Sequence, residues 1–184
     1  MEESGRAQLI LSARAQDQLL QDVYNRSDIE ACGLLTGAVD AQGNWQVDEA
    51  HPLRNIHQSP VYFEFAAEEL LMFELEHPGE VIGVYHSHPT GFPTASATDR
   101  QNMQRVNVEQ QIPWAWLIIC GPFSASHFPY AEQLAHHSLI AYHHYASGGL
   151  QHLRVLLRES TGTTKKTPDS YRDIQAKGWS SVAE

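Results

Sequence analysis

The sequence predicts an α+β domain, one mixed β-sheet flanked by helices. Three observations point there. The runs EVIGVYH and PWAWLIIC are rich in β-branched, aromatic and aliphatic residues, as central strands are. Segments with helical apolar spacing lie between such runs. Strands and helices follow one another without strict βαβ alternation, which disfavours a doubly wound parallel sheet. A chain of 184 residues with 42% hydrophobic and 18% charged content is long and apolar enough for one core.

In chain order, Gln8 to Ser12 is expected as a short strand. Ala13 to Arg26 is expected as an amphipathic helix that turns Leu19, Leu20 and Val23 inward. Ala31 to Val39 reads as a buried strand whose two glycines allow close backbone approach. Gly43-Asn44 marks a turn, and Trp45 to His51 alternates as a strand. A loop, Pro52 to Pro60, leads to an expected strand at Val61 to Phe65. A helix over Ala66 to Glu76 follows and stops at Pro78-Gly79. Glu80 to His86 is a central strand, and His88 to Ala95 a loop with Pro89 and Pro93. Ser96 caps a helix from Ala97 to about Glu109. Pro113 to Cys120 is the most apolar strand, and Phe123 to Tyr130 a weaker one. Ala131 to Ala146 is expected as a helix, Gly148-Gly149 as a turn and Leu150 to Leu157 as the last strand. The domain is placed at residues 1–158. Residues 159–184, with ESTGTTKKTPDS, read as a polar flexible tail in which Tyr171 to Trp179 has the makings of a short helix.

The formal net charge of -10 argues against nucleic acid as a partner, because phosphate backbones need clustered Lys and Arg. No run approaches the ~20 apolar residues of a membrane span. The opening MEESGRAQLILS lacks the form of a signal peptide, so a cytoplasmic location and no membrane partner are expected. Cys32 and Cys120 sit in apolar runs and read as buried thiols, not a disulfide framework. Neither Gly-x-Gly-x-x-Gly nor a P-loop is present, so nucleotide chemistry has no support.

Eleven histidines make this residue the compositional outlier. His51, His57, His77, His127 and His152 are scattered, and the adjacent pairs His136-His137 and His143-His144 diverge on a helix. These are expected at the surface or satisfied within the core. His86 and His88 differ. On a strand, residues i and i+2 share a face, so both imidazoles project together from the end of EVIGVYH and can share a zinc ion. Asp99 follows eleven residues after His88, in the first turn of the helix that Ser96 opens. Two His and one carboxylate leave a fourth position for water, the pattern of a catalytic zinc, one per chain. A bland reading stands beside each part: a strand-end His bonded to a carbonyl, Ser96 as a cap alone, Asp99 as an ordinary first-turn acid.

Such a site also needs a proton-carrying carboxylate. Glu30, just before CGLLTG, is the candidate, but Glu64, Glu68 and Glu80 are equally eligible on spacing alone.

HSHP, TGFPTA and SATD, in that order, resemble the JAMM (MPN-plus, JAB-domain) zinc metalloprotease signature. That signature is His-x-His-Pro, seven residues between the second His and Ser, then Ser-x-x-Asp. EACGLLTG resembles the family's upstream glutamate motif, and the likeness spans roughly residues 7 to 157. It implies a cytidine-deaminase-like sandwich, zinc ligands His86, His88 and Asp99, Glu30 as general acid/base holding the water, and Ser96 on the oxyanion. It further implies hydrolysis of the amide bond after the C-terminal glycine of a ubiquitin-like protein, free or in conjugates, by deconjugation or precursor processing. Only Arg100 to Ile112 separates Asp99 from the next strand, which resembles the compact prokaryotic branch. Two other functions remain: a zinc amidase acting on a peptidoglycan-type or phage-tail-type peptide, and a non-catalytic scaffold of the same fold.

Overall fold

A computed structural model describes residues 6–123 and 133–159 of the chain. Its elements are β1 (Gln8–Leu11), α1 (Ala13–Asn25), β2 (Cys32–Val39), β3 (Trp45–Leu53), α2 (Ala67–Glu76), β4 (Val81–His88), α3 (Ala97–Gln104), β5 (Ala115–Cys120), β6 (Ser138–Tyr145) and β7 (Gly149–Leu157). A π-helical turn, Arg105–Glu109, prolongs α3, and a 3-10 turn, Leu134–His136, precedes β6. The sheet runs β1-β3-β2-β4-β5-β6-β7 and closes on itself, because β1 pairs in parallel with both β3 and β7. The β4–β5 pair is also parallel and the rest are antiparallel, so the sheet is mixed, as expected.

Strand alternation sorts side chains into two cores. Leu35, Tyr85, Leu117 and Ile119 face α1, which contributes Ala15, Leu19 and Val23. Leu34, Val84, Trp116 and Ile118 face the other way, against Met103 of α3 and Val106 of the turn beyond it. Ser12 caps α1, its Oγ accepting from Ala15 N. At the other end of α1 lies a buried polar knot. Arg26 pairs with Asp22 through Nε and Nη2, and Tyr85 donates to Asp22 Oδ2 at 2.7 Å. Arg26 also donates to the carbonyls of Leu53 and Cys32, so the knot ties α1 to the end of β3 and the start of β2. Gly33 needs to be glycine here, since a Cβ would lie 2.2 Å from the His51 carbonyl oxygen and 2.6 Å from the Tyr85 ring.

Several expectations are corrected. Val61 to Phe65 is not a strand. β2 is paired with β3 and β4, and β1 pairs with β3 only over Trp45 to Val47, yet the segment joins neither strand in a ladder. Val61 is 70% exposed, and only Phe65 makes an isolated bridge, to Asn55. β4 runs two residues further than expected, to His88, because β5 continues to pair with it as far as Cys120. The helix from Ala97 gives way to the π-helical turn after Gln104. The helix expected over Ala131 to Ala146 is instead β6 from Ser138 to Tyr145, with a 3-10 turn, Leu134–His136, before it. SLIAYHHY contains Ala, Leu and His, which tolerate helix, but here β5 and β7 take up its backbone groups on both sides. Ala141 enters one core and Tyr142 the other. Most of the strand expected at Phe123 to Tyr130, the tail from residue 160 and the helix at Tyr171 to Trp179 lie outside the described residues. Among the described residues no helix is long and apolar enough to cross a membrane.

Candidate metal centre

The site is built at the end of β4, on the α3 side of the sheet. Val84, His86 and His88 alternate onto one face, and the parallel neighbour β5 places Ile118 and Cys120 beside the two histidines. β2 runs antiparallel on the other side and pairs Cys32 with His86. Continuing that register two residues back brings Glu30 to the same face, opposite His88. Ser87, fully buried on the opposite face, fastens this extension. Its N–H donates to the Ala31 carbonyl at 2.8 Å, and its Oγ accepts from Ala31 N at 2.9 Å.

α3 supplies the third wall. Ser96 and Asp99 form a capping box: Asp99 N donates to Ser96 Oγ at 3.1 Å, and Ser96 N donates to Asp99 Oδ2 at 2.7 Å. This turns the Asp99 carboxylate back over the strand. Its Oδ1 lies 3.4 Å from His86 Nε2 and its Oδ2 3.5 Å from His88 Nε2, while the two Nε2 atoms are 3.2 Å apart. A tetrahedral ion with arms of about 2.0–2.1 Å has donors about 3.3–3.4 Å apart, and one donor atom from each residue lies within 4.8 Å of the others, close enough to hold one such ion. All three residues are buried, and they are the one group of this kind among the described residues. Glu30 stands just outside the triangle, its Oε1 3.9 Å from His88 Nε2.

The surroundings orient the donors. His88 Nδ1 bonds the Phe92 carbonyl at 2.8 Å, which with Nδ1 as donor leaves the Nε2 lone pair facing the site. The Phe63 ring stacks on His86, with centroids 4.5 Å apart and planes at 26°. His86 Nδ1 is buried without a hydrogen-bond partner among the described residues. Two imidazole lone pairs 3.2 Å apart beside a carboxylate form a donor set that calls for a cation.

Electrostatics agrees with that geometry. Burial would raise the Asp99 carboxyl, but its contacts with His86 and His88 hold it well below the usual carboxylate range. Burial lowers His86. On His88 burial also works against charge, yet Asp99, the Phe92 carbonyl and Glu30 outweigh it and raise the pKa. Burial pushes the Glu30 carboxyl up to about 7, with His88 opposing the rise and Asp99 adding to it. A carboxylate poised near neutrality next to an electrophilic site is suited to general acid–base work.

The structure thus brings together all five residues expected from the sequence: His86, His88, Asp99, Glu30 and Ser96. Of the other candidate bases, Glu64 bonds His57, Glu68 bonds Arg54 and Glu80 bonds His77, all at exposed positions. The scattered histidines have ordinary partners: His51 bonds Thr36, and buried His143 bonds the Trp114 carbonyl. His143 and His144 sit on a strand rather than a helix, and so face opposite sides. His127 lies outside the described residues. Sequence reasoning missed Ser87, Phe63 and Asn55. Ser87 was visible as the odd-numbered partner between two candidate ligands, whose face must point away from them; the other two gave no signal.

Comparison with known proteins agrees with the likeness in the motifs. Residues 12–133 match the model of the prokaryotic homologs of the JAB domain. A desampylase of Haloferax volcanii is 36% identical over 103 residues, which cover 52% of this chain and 72% of that protein. A desampylase of Pyrococcus furiosus is 35% identical over 100 residues, covering 53% and 64%. The solution structure of a protein from Desulfitobacterium hafniense shares the fold, with a TM-score of 0.59 at 22% identity over 83% of this chain and 94% of that one.

Proposed function

The chain belongs to the prokaryotic JAB-domain family, and from that premise we propose that it is a zinc-dependent isopeptidase or peptidase that hydrolyses the amide bond after the C-terminal glycine of a ubiquitin-like protein. The observation that carries this reading is the buried His86–His88–Asp99 triangle with Glu30 at its rim. The two relatives named desampylases support the activity. The domain is assigned to residues 1–158, and the cytoplasm is the expected location.

In this reading His86, His88 and Asp99 hold one zinc per chain. When bound, zinc polarises a carbonyl and lowers the pKa of water to about 7. The chain's own residues do the rest. Glu30 accepts a proton at its carboxylate and delivers it to the leaving amine. Burial raises the Glu30 carboxyl in the metal-free site to about 7, which favours its taking up a proton. Ser96, half-buried at the head of α3, directs its hydroxyl at the developing oxyanion. Phe63 and the Phe92 carbonyl keep the two imidazoles from rotating.

The substrate is tested with matched fusions of a ubiquitin-like protein ending in Gly-Gly and in Gly-Leu. A glycine tail has no side chains to clash close to the zinc, and a Leu there disturbs positioning in the transition state. Cleavage of the Gly-Gly fusion alone is expected at low substrate concentration. Equal rates for the two would replace this reading with a broader zinc amidase.

A further inference from the structure

Asn55 lies in the polar stretch between β3 and α2, yet it is 2% exposed. Its carboxamide makes four hydrogen bonds. Nδ2 donates to the carbonyl of Glu30 at 3.1 Å and to that of Tyr62 at 3.0 Å. Oδ1 accepts from His57 N at 3.1 Å and from Glu64 N at 3.3 Å. A primary amide has two donor hydrogens and two acceptor lone pairs, so all of its capacity is used. The segment 56–64 joins no strand ladder and folds around this one side chain instead. Two further bonds close the loop: Ile56 N donates to the Glu64 carbonyl at 3.1 Å, and Glu30 N donates to the Ser59 carbonyl at 2.8 Å.

Both ends of this arrangement reach the metal centre. Glu30 is held at its N–H by the loop and at its carbonyl by Asn55. Phe63, carried between Tyr62 and Glu64, is 9% exposed and stacked on His86. We infer that Asn55 is a positioning residue, its carboxamide locking the Glu30 backbone and the Phe63-bearing loop into one unit over the metal ligands. The inference rests on the assignment of Glu30 as the base. A loop staple without bearing on the site would need only the bonds to Tyr62, His57 and Glu64. The bond to the Glu30 carbonyl, beside the one from Glu30 N to the Ser59 carbonyl, makes the loop and the base move together.

Amide hydrogen exchange on the full chain, with and without zinc, tests this without requiring a substrate. The amides of Glu30, His57 and Glu64 should exchange in step, and zinc should slow all three, because a fixed His86 steadies Phe63 and the loop. Asn55→Asp keeps the shape and both acceptors but sets a carboxylate against the Glu30 and Tyr62 carbonyls. It should speed all three amides by about tenfold or more, retain zinc, and lower kcat on a Gly-Gly fusion with KM unchanged. Acceleration confined to His57 and Glu64, with the Glu30 amide and kcat as in the native protein, would reduce Asn55 to a loop staple and overturn the inference. If Asn55→Asp does not fold, the native chain decides alone: unrelated exchange rates, or amides indifferent to zinc, would overturn it. If the zinc-loaded native protein cleaves no Gly-Gly fusion, the substrate assignment falls, and the exchange measurements alone judge Asn55.

Discussion

Glu30 is a carboxyl held in a place that penalises its charge, and this gives it two separable consequences. The first is catalytic. Glu30→Gln keeps the shape and the backbone bonds but cannot carry a proton, so it should bind zinc normally and lose turnover by roughly 10²–10⁴. Normal hydrolysis by that variant would remove Glu30 from the base role. The second concerns the metal-free chain. Burial raises Glu30 in the folded state to about 7, above its value in the unfolded chain. The folded state therefore favours the protonated form, and stability from this group is present at low pH and is lost as pH rises through about 7. Metal-free Glu30→Gln should accordingly melt above the native protein at pH 8 and close to it at pH 4. A lower melting temperature at pH 8 would contradict that sign. The pairing of the two proposed ligand histidines was legible from the sequence because period 2 is local: residues 86 and 88 share a face wherever the strand lies. Glu30 was not, since its partnership with His88 depends on β2 pairing with β4 more than fifty residues away. Only the family likeness separated it from Glu64, Glu68 and Glu80.

At the scale of elements, α3 shows one serine serving a helix and a site together. Ser96 Oγ satisfies the Asp99 N–H, which the first helical turn would otherwise leave unpaired, while the Ser96 N–H holds the Asp99 carboxylate in place. Replacing Ser96 by Ala removes the first bond and keeps the second, so Asp99 should still face the histidines and zinc should be retained. The lost cap should cost about 0.5–2 kcal/mol of stability. If the hydroxyl also serves the oxyanion, turnover should fall by roughly 10²–10³ in addition. A variant that melts earlier and cleaves at the native rate would leave Ser96 as a cap only. The cap itself was legible, because Ser followed at the third residue by an acid is a local signal. Local signals failed where neighbours decide. Val61 to Phe65 has strand composition, but it joins no ladder and the Asn55 side chain takes up its backbone groups instead. SLIAYHHY has residues that tolerate helix, but it lies between two strands that need its backbone.

At the scale of the molecule, what the sequence could not show is closure. Mixed strands and flanking helices follow from patterning, but a ring requires the short strand β1 to pair with β3 on one side and β7 on the other. Neither partner is near β1 in sequence. The ring places the metal centre on a support fixed on both sides: β4 lies between β2, which leads to Glu30, and β5, which packs behind the histidines. It also sets where the chain is needed. The last ladder pair joins Leu11 to Leu157, and Arg158 N donates to the Leu11 carbonyl at 2.9 Å. Every residue of both cores precedes Arg158. Truncation after Glu159 therefore removes none of the described strands, none of these core side chains and no proposed ligand. The stretch STGTTKKTPDS offers little apolar area to offset the entropy of ordering it. The truncated chain should keep about one zinc and melt within a few degrees of the full chain. Truncation before Leu150 should not fold, because it opens the ring and exposes the edges of β1 and β6. Tyr171 and Trp179 are the large aromatics of the removed part. A drop well beyond a few degrees in the shorter truncation would show that they contribute to the folded domain, and would move its boundary past residue 158.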